Sequence, residues 1–353
     1  MAQSNCLSTC LHWRSTQITA AVVLALLACQ NAASVLLQHK LQTRQVDDSV
    51  RYEPLSAVVL SEGLKMLISL AVAARGFFSN TEASDAHHSD FLSHVLAGHD
   101  SSAVPAFLYT LSATSQSLGA YHLDILPYLM LSQVKLILTP VFSRAFLKQT
   151  LQPHQWLCLV VLTTGLVLVQ VGSAVRSFGA PRADDAGKDM IFGVVAMLVA
   201  GFCSAFAGVY MEAVLKTSEN SFMVRNAQLA GYTCLCALCG LVWQSDLGVK
   251  DSFRGHTVLV WALILLQAVG GFLVSWAVRI ASTIAKNYAQ SLGFLAALTI
   301  PLFLSPHALS TELCCGIALV LGGVFGSLWK KEAPINSAER SEKDEKPKVA
   351  SMV

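Results

Sequence analysis

The sequence is poor in charge. Asp, Glu, Lys and Arg together make up 13% of its 353 residues, whereas a soluble domain usually carries roughly 25%. Hydrophobic residues make up 54%, and the mean hydropathy is +0.55. These figures exclude a water-soluble globular fold, intrinsic disorder, collagen and a coiled coil. The net charge is only +2, so we expect no nucleic-acid partner, whose binding would require a clustered excess of basic residues.

The sequence also lacks the motifs of several enzyme and pump classes. No Gly-rich phosphate loop followed by Lys-Ser or Lys-Thr is present, which argues against ATP-driven pumping. There is no HExxH motif and no GxSxG nucleophile elbow. Cys234, Cys236 and Cys239 lie in an apolar run without a second Cys or His pair at zinc spacing. We therefore predict a protein that is not an enzyme, with no catalytic residues, no metal site and no cofactor.

Long apolar runs are what the sequence has in abundance. A membrane-spanning helix needs about 20 apolar residues, and about ten such runs can be found. They lie near 16–38, 55–75, 104–122, 125–147, 155–175, 190–214, 225–245, 257–279, 284–304 and 308–329. The third and fourth runs are separated only by a short turn around His122 to Asp124. The pattern predicts an all-α integral membrane protein with about ten transmembrane helices.

The distribution of basic residues predicts the orientation of these helices. An even number of spans places both termini on one side, and that side carries 14 Lys and Arg residues against eight on the other. Since basic residues favour the cytosolic side, both termini are expected in the cytosol. We divide the chain into a cytosolic N-terminal segment (1–15), a ten-helix domain (16–330) and a charged, disordered cytosolic tail (331–353). The long polar segment 79–102 is expected to be a loop.

Two short similarities suggest that the chain contains an internal repeat. LTPVF at 138–142 resembles LTIPLF at 298–303, and a run rich in small residues follows each. Halves of five helices each, at 16–175 and 190–329, would have opposite orientations because five is odd. Such a 5+5 inverted repeat is typical of secondary transporters, which bind substrate near the bilayer midplane.

Ionisable residues inside apolar runs are costly and usually functional. Glu62 and Lys65 are three residues apart on the second run, so a helix would place them on one face, where they can pair. Lys135 lies deep in the fourth run without an acidic neighbour on its own helix. A surplus of buried positive charge should attract an anion such as phosphate. Tyr128, Gln133 and Gln228 could add polar contacts, or could instead bond across helices.

Four segments carry a resemblance to a known family. They are SEGLKMLISL (61–70), LDILPYLMLSQVKLILTPVFSRAFLKQTLQPHQW (123–156), GFCSAFAGVYMEAVLKTSENSFMVRNAQL (201–229) and VGGFLVSWAVRIASTIAKNYAQSL (269–292). With these segments the chain resembles the nucleotide-sugar transporters of the drug/metabolite transporter superfamily over most of residues 18–330. It is most similar to the branch of UDP-galactose, UDP-N-acetylglucosamine and CMP-sialic acid carriers.

The resemblance implies a function. It implies a Golgi or endoplasmic reticulum membrane protein that exchanges a cytosolic nucleotide sugar for a lumenal nucleoside monophosphate without ATP. Its small-molecule partners would be the nucleotide sugar and the monophosphate, within the lipid bilayer, and a homodimer is left open. Family positions fall on residues that we take, together with those above, as candidate substrate-binding residues: Glu62, Lys65, Tyr128, Gln133, Lys135, Asn226, Gln228, Arg279 and Lys286.

Departures from the family pattern bear on the substrate. The stretch Ser112-Ala113-Thr114 stands where many relatives carry a Gln-Asn pair, and Ser282-Thr283 stands where they carry Asp-Asn. Ala230 occupies a position at which UDP-sugar carriers tend to have a small residue, so a UDP-sugar with UMP as counter-substrate is favoured, on the Golgi membrane. A CMP-sialic acid carrier, another carrier of the superfamily and a non-transporting membrane scaffold remain the alternatives.

Overall fold

The described part of the chain is almost entirely helical. The computed structural model describes residues 2–44, 54–80, 88–177, 189–217, 220–244, 256–304 and 311–328. These residues contain helices and no strand. The helices are α1 (Ala2–Arg44), α2 (Pro54–Asn80), α3 (His88–Leu96), α4 (Asp100–His122), α5 (Ile125–Ser132), α6 (Val134–Phe146), α7 (Pro153–Ser177), α8 (Met190–Thr217), α9 (Phe222–Gln244), α10 (Val258–Ile280), α11 (Thr283–Leu304) and α12 (Thr311–Leu328).

Local sequence explains where several helices begin. The Asp189 carboxylate accepts hydrogen bonds from the backbone N–H groups of Ile191 and Phe192 at 3.0 and 3.2 Å, at the first turn of α8. Ser221 and Ser282 accept equivalent bonds at the starts of α9 and α11. These short polar side chains satisfy N–H groups that have no partner within the helix.

Six helical segments are long and apolar enough to cross a membrane. They are Ile18–Gln38, Leu55–Ser79, Pro127–Phe146, Pro153–Val171, Met190–Thr217 and Val258–Ile280, and Thr311–Ser327 is a shorter apolar helix. Large apolar side chains on these segments remain uncovered by protein, as with Ile18, Val22 and Leu26 along one face of α1. Such a surface suits lipid rather than water. The all-helical membrane fold is therefore confirmed, whereas the count of ten spans stays a prediction.

The chain divides into two compact units, each of which draws helices from both predicted halves. Unit 1 comprises residues 1–107 and 218–297, and unit 2 comprises residues 108–217 and 298–353. In unit 1, α1 packs against α10, and α2 packs against α9 and α10. One core cluster there joins α1, α2 and α10 through Leu41, Ala57 and Ile264, among others. A second joins α1 to α10 and α11 through Val23, Leu27, Ala277 and Ala289.

In unit 2 the closest packing joins α7 to α12. A Cβ built on Gly165 would lie 2.7 Å from the backbone nitrogen of Val320, and one on Gly316 would lie 3.0 Å from the carbonyl oxygen of Gly165. Glycine is therefore required at this crossing, because any side chain would collide with backbone. On the other side of the unit, α6 packs against α8. Four phenylalanine rings line that contact: Phe142, Phe146, Phe202 and Phe206.

The structure corrects two details of the sequence prediction. The polar segment 79–102 is not only loop, because it contains α3 and the first turn of α4. The apolar run 125–147 is divided into α5 and α6 at Gln133. The turn from His122 to Asp124 is confirmed as the short link between α4 and α5. The predicted disordered tail, 331–353, lies outside the described residues, as does the link between α11 and α12.

Candidate functional site

The predicted partners Glu62 and Lys65 form an ion pair in unit 1. Lys65 Nζ lies 2.8 Å from Glu62 Oε1 and 2.6 Å from Oε2. The side chains are only 7% and 20% exposed, so the pair is held largely away from solvent. The i,i+3 spacing on α2 makes the contact local to one helix, as expected from the sequence. Their role in substrate binding stays a prediction.

The helices around this pair approach it closely. A Cβ built on Gly271 of α10 would lie 2.8 Å from Lys65 Cδ and 3.1 Å from Lys65 Nζ. On α9, a Cβ built on Gly231 would lie 3.4 Å from the sulfur of Met66. The two glycines thus leave room for side chains of α2, and Gly271 allows α10 to lie against the lysine. The pair is confined by its neighbours as well as by its charge.

Two polar residues of α1 were not singled out from the sequence. Gln30 Nε2 donates to the carbonyl oxygen of Leu266 on α10 at 3.0 Å and to Ser34 Oγ at 2.9 Å. Asn31 Nδ2 donates to the carbonyl oxygen of Gln290 on α11 at 2.8 Å. Adjacent amides inside an apolar run were the available signal, because in a membrane helix they need partners on neighbouring helices.

Two residues of the VRNAQ segment of α9, Arg225 and Gln228, bond to the turn between α3 and α4. Arg225 is 6% exposed and donates to the carbonyl oxygen of Gly98, to Ser101 Oγ and to Gln228 Oε1. Gln228 also accepts from Ser102 Oγ at 3.0 Å and donates to the carbonyl oxygens of Val95 and Ala97. Both side chains therefore hold the turn between α3 and α4 in the described structure.

Asn226 differs from its two neighbours. Its side chain is fully buried, and Nδ2 donates to the carbonyl oxygen of Phe222 at 2.9 Å. Its Oδ1 is buried without a hydrogen-bond partner among the described residues. A buried amide oxygen without a donor is costly, so this atom is the one in the segment with capacity for a further hydrogen bond.

The two predicted cations near the link between α10 and α11 have different surroundings. Arg279 is exposed, and its guanidinium carbon lies 5.4 Å from the centre of the Phe222 ring, in a cation–π contact. No carboxylate in the described ranges pairs with Arg279. Lys286 is half-buried in the first turn of α11.

Three predicted residues lie in unit 2, where α5 meets α6. Tyr128 is half-buried, and Gln133 is buried at the break between the helices. Gln133 Nε2 donates to Gln170 Oε1 on α7 at 3.1 Å, a partner that was not predicted from the sequence. Lys135 is exposed within the candidate span Pro127–Phe146, and no acidic side chain of the described residues forms an ion pair with it. A lysine in such a helix is costly unless it meets a counter-charge.

A second buried carboxylate, that of Glu212, lies near the C-terminal end of α8. Glu212 is fully buried and accepts from Lys216 Nζ at 2.7 Å and from Gln149 Nε2 at 2.8 Å. Its acidic charge is therefore already compensated within unit 2. Of the predicted residues, unit 1 holds Glu62, Lys65, Asn226, Gln228, Arg279 and Lys286, and unit 2 holds Tyr128, Gln133 and Lys135.

Comparison with known proteins gives consistent similarities over most of the chain. A family described as "Nucleotide-sugar transporter" matches residues 15–326. The UDP-galactose transporter of Schizosaccharomyces pombe is 30% identical over 308 residues, with 86% of each chain covered. The UDP-N-acetylglucosamine/UDP-N-acetylgalactosamine transporter of Caenorhabditis elegans is 34% identical over 314 residues, covering 86% of this chain and 91% of its own. The UDP-galactose translocator of Mus musculus is 32% identical over 324 residues, covering 90% and 79%.

A solved structure shares the fold. One protein of known crystal structure aligns with this chain with a TM-score of 0.60. The alignment covers 91% of this chain and 99% of the other. The sequence identity is 11%, so this likeness concerns the arrangement of helices alone.

Proposed function

The chain belongs to the nucleotide-sugar transporter family, a family of multi-pass membrane transporters rather than enzymes, and on that premise we propose that it exchanges a cytosolic UDP-sugar for lumenal UMP across the Golgi membrane. The sugar would be galactose, N-acetylglucosamine or a similar residue, because the relatives above are named for carriers of such UDP-sugars. Transport would proceed by alternating access, driven by the opposing gradient of UMP rather than by ATP.

The proposal includes the arrangement of helices. Ten spans in a 5+5 inverted repeat, with both termini in the cytosol, would present each half of the chain to the substrate in opposite orientation. In support, most of each of the ten predicted apolar runs falls on a described helix or on the α5–α6 pair. Six of them also meet the length and hydropathy expected of a span.

The observation that carries the proposal is the state of Lys135. Lys135 is an exposed residue of an apolar span, and its ammonium has no carboxylate partner within the described ranges. In an environment of low dielectric, such a cation attracts an anion strongly. We assign Lys135 and Arg279 to the phosphates of the nucleotide, because neither is neutralised by an acidic side chain that the structure describes.

Other candidate residues would contact the neutral parts of the substrate. The free Oδ1 of Asn226 and the hydroxyl group of Tyr128 are assigned to the nucleoside. Glu62 and Lys65 neutralise each other, so they suit the sugar, whose hydroxyl groups can bond to either partner without a net charge. Gln133, Gln228 and Lys286 complete the proposed set.

Exchange can be tested with purified protein in liposomes. Vesicles loaded with UMP should take up labelled UDP-galactose or UDP-N-acetylglucosamine faster than unloaded vesicles do. Vesicles loaded with CMP should take up labelled CMP-sialic acid only if the protein is instead a CMP-sialic acid carrier. Equal uptake into loaded and empty vesicles would refute the exchange mechanism.

Lys135→Ala tests the assignment of the phosphate contact. We expect UMP to raise the Tm of the wild-type protein, and we expect Lys135→Ala to lose both this stabilisation and exchange. Lys40→Ala is the matched control, because Lys40 is exposed on α1 beyond the end of its candidate span. A folded Lys135→Ala variant that exchanges like Lys40→Ala would remove the proposed role.

A further inference from the structure

The short helix α3 presents three different faces. At about 100° per residue, Phe91, His94 and Val95 fall on one side, and each is half-buried. Leu92 and Leu96 fall together on a second side and are 58% and 51% exposed. Asp90 and Ser93 occupy the third side and are also exposed. One face is therefore covered by protein, one is apolar and uncovered, and one is polar and uncovered.

The covered face places α3 beside the end of a membrane span. The Phe91 ring centre lies 5.6 Å from that of Phe77 and 5.8 Å from that of Phe78, and the His94 ring lies 5.5 Å from Phe77. Phe77 and Phe78 belong to the last turn of the candidate span Leu55–Ser79. The end of a span lies at the boundary between acyl chains and headgroups. Contact with these rings puts α3 at the same level.

The apolar face of α3 continues the uncovered surface of α2. Leu67, Ile68 and Val72 are exposed along α2, and Phe78 at its end is 41% exposed. In a membrane protein such a surface contacts lipid. Phe91 packs on Phe78, so α3 lies against the end of this uncovered surface of α2, with Leu92 on the next face of α3.

The C-terminal end of α3 is fixed by side chains of α9 and its preceding turn. Gln228 donates to the carbonyl oxygen of Val95 at 2.7 Å, and Asn220 donates to that of Ala97 at 2.8 Å. Arg225 donates to that of Gly98, a residue with a positive φ of 61°. These donors replace the water that would otherwise satisfy the last carbonyl groups of a helix. They hold α3 at one position even where water is scarce.

We propose that α3 is an interfacial helix, with Leu92 and Leu96 inserted among lipid acyl chains and with Asp90 and Ser93 facing water. An amphipathic helix of this kind lies in the plane of the interface, with its apolar face at the boundary between headgroups and acyl chains. The occupant of the uncovered apolar face is thus the bilayer that surrounds α2. The transport cycle is not needed for this placement.

Depth-dependent fluorescence quenching tests the proposal on the full-length protein in lipid nanodiscs. An environment-sensitive fluorescent amino acid is introduced by codon suppression in place of Leu92, and in a second protein in place of Ser93. Both positions are exposed, so either substitution should leave the fold intact, which gel filtration and the apparent Tm can check. The label is then quenched with brominated phosphatidylcholine or with aqueous iodide.

At Leu92 we expect strong quenching by lipids brominated near the headgroup end of the acyl chain and weak quenching by iodide. At Ser93 we expect several-fold stronger iodide quenching than at Leu92. Equal iodide quenching at the two positions would mean that α3 lies in water, and would overturn the proposal. Protection of Leu92 from both quenchers would also overturn it, because a protein surface and not lipid would then cover this face. The same label in place of Leu96 repeats the test one turn later.

Discussion

Removing either member of the buried Glu62–Lys65 pair should destabilise the protein, and removing both should not do so to the same extent. Breaking a buried ion pair costs about 3–5 kcal/mol, because the remaining charge is left without compensation. Glu62→Gln leaves Lys65, which is 7% exposed and confined by Gly271, so its cost should fall toward the upper end of that range. Lys65→Met leaves Glu62, whose Oε2 atom is buried inside a candidate span, so its cost should fall in the same range.

The double variant Glu62→Gln/Lys65→Met should regain most of the lost stability, because no buried charge then remains. Its exchange activity should stay low if the pair serves the sugar. The apparent Tm of each purified protein, and nucleotide exchange in liposomes, provide the two measurements. Lys40→Met serves as the control for removing a lysine from an exposed position.

Two outcomes would refute this reasoning at different points. If each single variant has the same apparent Tm as the wild-type protein, the pair does not lie in the enclosed surroundings described above. If the double variant is stable and also exchanges normally, the pair contributes to folding alone, and its assignment to the sugar is wrong.

Two further predictions concern packing and anchoring. Gly165→Ala should lower the Tm, because its Cβ would lie 2.7 Å from the α12 backbone, an overlap that costs about 1–3 kcal/mol. The control Gly322→Ala should leave the Tm unchanged, because its Cβ would meet nothing within 4 Å. Equal Tm values for the two variants would contradict so close a crossing of α7 and α12. Gln228→Ala should speed amide hydrogen exchange across residues 89–96 without affecting α12, because it removes donors that hold the end of α3. Unchanged protection of α3 would show that Gln228 does not anchor it.

The helices were predictable because the length and the apolar character of each run can be read from the sequence directly. Apolar runs of lipid length require internal hydrogen bonding of the backbone, and helices provide it. The pairing of Glu62 with Lys65 was predictable for a similar reason, since an i,i+3 spacing depends on one helix alone. Both conclusions follow from neighbouring positions along the chain.

Features that depend on distant partners were not predictable in this way. The nine residues of α3 are too few and too polar to indicate a helix, and the segment is held by α2 and α9. The role of Gln228 in substrate binding stays a prediction, whereas its bonds to Val95 and Ala97, more than 130 positions earlier, were not foreseen. Gln170, the partner of Gln133, lies 37 positions away. Which acceptor a polar side chain selects is decided by helix packing, about which a single sequence says little.

The interleaving of the two units has a consequence for synthesis. The main partner of α1 is α10, which begins at Val258, 214 residues after α1 ends at Arg44. At about 5–20 residues per second, a ribosome needs roughly 10–40 s to make that stretch. During this delay Gln30 and Asn31 reside in the membrane without the carbonyl groups they later bond. A chain that ends after α8 lacks these acceptors, so its α1 should be held in the membrane less firmly than α1 of the full chain.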